Sequence, residues 1–105
     1  MIIRLVKMTF PVENSEKFEA LFETVRDRIA AREGCVHVEL LRTIAEGEEA
    51  IYFTRSIWNR EEDLQAYRAS DLFAATWRST KALFSQRAEA WSTELISVST
   101  SDGME

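Results

Sequence analysis

A chain of 105 residues is enough for one domain. Apolar residues make up 46% and charged residues 30%, with only three Gly and one Pro, which excludes disorder, collagen-like repeats and low-complexity sequence. The net charge of −5 and the lack of a long basic stripe argue against nucleic acid or an anionic membrane as partner, and one Cys and one His exclude a disulfide framework or a Cys/His zinc site within one chain.

No carboxylate spacing points to a metal site, so no metal is expected. The opening MIIRLVKMTF holds Arg4 and Lys7 inside its apolar run, unlike a signal peptide. No run approaches the roughly 20 apolar residues needed to span a bilayer. The lone Cys35 fits a reducing compartment, so a cytoplasmic protein is expected.

Residues 2–10 alternate and are rich in Ile, Val and Phe, predicting a first strand that Pro11 stops. Asn14 or Ser15 is placed to cap a helix whose Phe18, Leu21, Phe22, Val25 and Ile29 share one face. Gly34 stands where a C-terminal cap belongs. Residues 35–43 and 50–58 predict strands two and three around a polar turn with Gly47. Asn59 with Glu62 resembles a capping box opening a short helix over 60–68. Ser70 or Asp71 opens a further helix to about residue 86, with Phe73, Trp77, Thr80 and Phe84 on one face. Residues 88–98 predict strand four; the domain is thus 1–98, and 99–105 a flexible tail.

The order strand, helix, strand, strand, helix, strand is the split βαβ, ferredoxin-like α+β arrangement: a four-stranded antiparallel sheet with helices on one face. Both faces of these strands are apolar. Ile3 and Leu5 oppose Ile2, Val6, Met8 and Phe10; Cys35 and Leu41 oppose Val36, Val38 and Leu40; Ile51, Phe53 and Ile57 oppose Tyr52 and Trp58. The helices cover one face only, and a large apolar face is rarely left in water. A second copy packed face to face about a two-fold axis is the simplest cover, so a homodimer forming a closed α/β barrel is expected.

The runs Gly34-Cys35, Glu39-Leu40-Leu41-Arg42, Ile57-Trp58 ahead of a helix, and Tyr67-Arg68-Ala69-Ser70-Asp71-Leu72-Phe73 resemble the antibiotic biosynthesis monooxygenase family of the dimeric α/β-barrel superfamily, over about residues 1–97. Members include oxygenases of polycyclic aromatic polyketides, quinol monooxygenases and haem-degrading enzymes. Trp58 matches the Trp that the family often carries at the end of its third strand, while many members have His at the place of Tyr67. The haem-degrading branch has Trp at that place, a ligating His where this chain has Trp77, and an Asn on a first strand that here lacks one, so haem degradation is not implied. The polyketide-oxidising branch tends to have Asn at the place of Thr54.

Monooxygenation normally draws on a metal, haem or flavin to handle oxygen, and the chain has no Gly-rich phosphate loop. The resemblance implies cofactor-free oxidation, in which an electron-rich phenolate or quinol anion itself reduces oxygen. The protein would supply an apolar pocket, a hydrogen bond that orients the phenol, and a base. Trp58 and Tyr67 are the candidate catalytic residues, and Tyr52, Thr54, Ser56, Ser70, Phe73 and Trp77 the candidate substrate-binding ones, in a pocket between sheet and helices.

Each of these residues also has a plainer reading. Trp58 and Trp77 suit a core, Tyr67 a pocket rim, and Ser70 a helix cap. His37 is a general base or an interface His bonded to a carboxylate, and Cys35 an inert thiol. Arg4, Lys7, Arg42 and Arg55 lie inside strands, where they attract an acidic ligand, protect an edge or pair across a dimer. The chain is then an enzyme on a small aromatic substrate or a non-catalytic dimeric barrel that holds a small apolar ligand.

Overall fold

The computed structural model describes residues 1–101. β1 (Ile2–Pro11) leads through a 3-10 turn (Val12–Asn14) into α1 (Ser15–Ala30). β2 (Cys35–Arg42) and β3 (Glu49–Trp58) follow, then α2 (Glu61–Arg68), α3 (Asp71–Lys81) and β4 (Glu89–Glu94). The strands form one antiparallel sheet in the order β2-β3-β1-β4, the ferredoxin-like α+β arrangement.

Strand parity decides what each face carries. Arg4 pairs with Ser56 and Ser92, and Val6 with Thr54 and Ala90, so these side chains share the helix-facing side with Met8, Phe10, Tyr52 and Trp58. Two buried clusters sit there. Met8, Phe10, Phe18, Ala50 and Tyr52 form one. Phe22, Val25, Ile29, Trp58 and Leu64 form the other, so α1 contributes to both through Phe18, Phe22, Val25 and Ile29.

The opposite face carries Ile3, Leu5, Ile51, Phe53 and Ile57, half-buried by their strand neighbours, with Leu41 and Trp91 each 45% exposed. No helix lies on it among the described residues. Its polar centre is His37, whose Nε2 lies 2.7 Å from Glu39 Oε1, and Arg55, which pairs with Glu39 at 3.4 Å.

Several local expectations are corrected. A bulge between Cys35 and His37 puts Cys35 on the helix side, packed against the Trp58 cluster, and leaves Val36 51% exposed. Asn14 stands at the N-cap of α1, as expected, but its side chain makes no capping bond there: its side-chain amide donates to the Leu83 carbonyl at 3.0 Å. The Asn59–Glu62 capping box does not form. Arg60 occupies the N-cap position, its guanidinium binding the buried Asp63 at 3.1 Å, while the Asn59 backbone N–H donates to the Gly34 carbonyl. Gly34 does not cap α1 directly but sits in a turn closed by the Cys35 amide on the Arg32 carbonyl.

α3 stops at Lys81 because the chain turns there to bring Phe84 against Phe10 and Trp77. β4 stops at Glu94 because its partner does: Ile2 pairs with Glu94, and the last contact is from the Leu95 amide to the Met1 carbonyl. Residues 95–101 carry no regular secondary structure, and the remainder of the expected tail, 102–105, lies outside the described residues.

Candidate functional site

α3 packs against α1 and α2. Only Thr80 among its residues is fully buried, so Phe73 and Trp77 face a gap. The result is a cavity of about 300 Å³ between the helices and the centre of the sheet, at the small end of the roughly 300–1,000 Å³ range of ligand pockets. Its sheet side is built from Arg4, Val6, Met8, Thr54 and Ser56, and its helix side from Tyr67, Arg68, Phe73, Thr76 and Trp77.

Of the eight candidates named from sequence, the structure brings Thr54, Ser56, Tyr67, Phe73 and Trp77 together in this wall. It places the other three around them. Trp58 is fully buried behind the wall: its ring stacks on Tyr67 at 5.2 Å, and its Nε1–H donates to Ser56 Oγ at 2.9 Å. Because Ser56 Oγ accepts that bond, its own O–H is left to donate.

Ser70 Oγ accepts from the Phe73 amide at 3.2 Å and donates to the Tyr67 carbonyl at 2.6 Å. It caps α3 and fixes the α2–α3 corner from which Tyr67 and Phe73 project. The Tyr52 ring packs edge-on against Phe10 and Phe18, and its hydroxyl donates to Glu19, which also pairs with Arg42 at 3.2 Å. Burial, then the hydrogen bond to Glu19, pushes the Tyr52 phenol above its ordinary pKa.

Tyr67 is the central polar group of the wall. Its ring lies between Trp58 and Phe73, the latter edge-on at 5.3 Å. Its hydroxyl has no hydrogen-bond partner among the described residues. Burial, with the Cys35 thiol adding to it, pushes the phenol up to about 12. Tyr67 is therefore a hydrogen-bond donor at neutral pH and not a base.

His37 stands on the opposite face of the sheet, bonded to Glu39, and takes no part in the cavity. Cys35 is half-buried and free, and burial raises its thiol pKa, consistent with an unreactive role. The sequence alone does not single out Arg68, and it allows Arg4 several explanations. Strand parity is the signal that marks Arg4, since it shares a face with Val6, Met8 and Phe10. No cluster of His, Cys, Asp or Glu able to hold a metal ion occurs among the described residues, and no helix there is long and apolar enough to cross a membrane.

The model of the antibiotic biosynthesis monooxygenase family matches residues 1–79. No curated protein sequence matches the chain. A conserved protein from Methanosarcina mazei Go1 superposes with a TM-score of 0.79 at 20% identity, over 89% of this chain and 91% of that one. A candidate antibiotic biosynthesis monooxygenase from Deinococcus radiodurans superposes with a TM-score of 0.83 at 12% identity, over 98% of this chain and 100% of that one. At these identities the two likenesses bear on the fold.

Proposed function

The chain belongs to the antibiotic biosynthesis monooxygenase family, and from that premise we propose that it oxidises a small aromatic, quinol or polyketide-like compound in the cavity between sheet and helices, without a cofactor. The observation that carries this reading is the unpartnered Tyr67 hydroxyl set into an aromatic wall with Phe73 and Trp77. A flat ring against Phe73 and Trp77 can set its oxygen among the hydroxyls of Tyr67, Ser56 and Thr54. Tyr67, held protonated, donates to that oxygen. The electron-rich anion passes an electron to O₂. One oxygen atom enters the ring carbon and the other leaves as water with two substrate hydrogens, so the substrate supplies all four electrons. Trp58 acts through others, holding the Tyr67 ring by stacking and Ser56 by its N–H.

The same reading includes a homodimer formed through the open sheet face, where Leu5, Phe53, Ile57 and Trp91 need cover. The free thiol of Cys35 suits the reducing cytoplasm.

One observation favours a second reading, a non-catalytic dimer that binds a small apolar ligand: the cavity wall contains no carboxylate, imidazole or amine to accept a substrate proton. Oxygen uptake with a panel of naphthols, anthrones and hydroquinones, under metal-free conditions, decides between them. The oxidation reading predicts uptake with at least one compound, at one O₂ per ketone or quinone formed. It predicts a loss of about tenfold or more in Tyr67→Phe, and a fall in Trp58→Phe. No uptake from any compound, together with saturable quenching of Trp fluorescence, supports the binding protein.

A further inference from the structure

Arg4 sits in the middle of the sheet, on the helix-facing side, beside two hydroxyls and a second cation. Its register partners are Ser56 and Ser92, and its Nη1 donates to Ser92 Oγ at 3.0 Å. Arg68, at the last turn of α2, lines the same cavity, and among the described residues its guanidinium donates only to the Gln65 side-chain oxygen, at 3.5 Å. Neither arginine has a carboxylate within ion-pair distance among the described residues.

That arrangement costs free energy in the empty protein. A half-buried guanidinium is normally paired with an anion, yet here burial first, and Arg68 second, hold Arg4 below the usual arginine pKa, with Glu61 only partly opposing them. Every other polar side chain in the wall is a hydroxyl: Thr54, Ser56, Tyr67, Thr76 and Thr80. Thr80 is spent on the Thr76 carbonyl. The wall thus presents two cations and several donors, with no side chain that takes up a proton at neutral pH. It is fitted to a ligand that arrives already ionised.

We propose that Arg4 and Arg68 form an anion site in the cavity wall, running from the half-buried Arg4 to the exposed Arg68, which selects flat aromatic ligands that bind as carboxylates or phenolates. This deepens the proposed oxidation and rests on the same cavity being the ligand site. It also answers the missing base. Two guanidinium groups favour the ionised form of a bound phenol, so the electron-rich anion persists in the cavity without a side chain to take its proton.

The test is calorimetric titration of the full chain with a matched pair, 2-naphthoate and 2-naphthamide, which have nearly the same shape but differ in charge. The expected result is at least about tenfold tighter binding of the carboxylate. That preference collapses toward equality in Arg4→Gln and in Arg68→Gln, and is largely kept in Arg4→Lys. Arg68 is exposed at a helix end, so its variant carries the test if Arg4→Gln does not fold. Equal affinity for the two ligands, a preference that survives both glutamine variants, or no binding of either ligand would each overturn the proposal. The oxidation reading fails separately. A carboxylate preference lost in the variants, with no oxygen uptake from any phenol, leaves the anion site standing and removes the enzyme.

Discussion

Gly34 shows how one residue can be fixed by two constraints at once. Its φ of +80° is a conformation that side chains with a Cβ rarely adopt, and a Cβ there would land on the side chain of the buried Asp63. Asp63 cannot move freely, since Arg60 holds it at the start of α2. Gly34→Ala is therefore expected to lower stability by about 2–3 kcal/mol, read as a shift in the urea midpoint at unchanged slope; a shift under about 0.5 kcal/mol would contradict this packing. Tyr67 gives a pH signature. Its phenol rises from about 10 in the unfolded chain to about 12 in the fold, so the stability tied to it is complete below pH 10 and is lost as pH climbs through 12. Urea unfolding followed from pH 9 to 12 should show that decline, and Tyr67→Phe should lessen it. The upward shift of Tyr52 leaves a residual slope. Tyr67 was legible as an aromatic with a hydroxyl near the third strand. That its hydroxyl would lack a partner was not, because that depends on what surrounds it after folding.

At the scale of elements, the sequence announced where helices and strands exist better than where they end. The 3–4 spacing of Phe18, Phe22, Val25 and Ile29 placed α1, and alternation placed β1 and β3 with the correct faces. The ends depended on partners far along the chain. β4 has the composition to reach residue 98, yet β1 offers no strand beyond Ile2 to pair with it. The bulge at Val36 flipped the expected side of Cys35 because parity fails after one extra residue. The spacing of Phe73, Trp77, Thr80 and Phe84 predicts a helix with an apolar stripe, and a stripe is ordinarily core. Here Phe73 and Trp77 of that stripe line the cavity. Trp77→Ala should then cost only about 1–2 kcal/mol, less than the roughly 3–5 kcal/mol of a Trp deleted from a filled core, while affinity for 2-naphthoate falls about tenfold. Thermal unfolding and titration of the one variant measure both; a stability loss of core size with ligand affinity intact would mean that Trp77 is packing and not wall.

For the whole molecule, the two faces of one sheet divide the work. The helix side is closed over a small cavity; the other, with Ile3, Leu5, Phe53, Ile57 and Trp91 around the His37–Glu39–Arg55 group, has no helix over it among the described residues. This division was readable in the alternation of strands one and three, since both parities are apolar there. The cavity was not readable, because a gap is a property of how helices stack and not of any residue. We propose that a second copy closes this open face. Sedimentation velocity at micromolar concentration measures this most directly. A species of twice the chain mass is predicted, converted to single chains by Phe53→Glu with Ile57→Glu. A wild-type chain that sediments as one soluble unit at that concentration would contradict it.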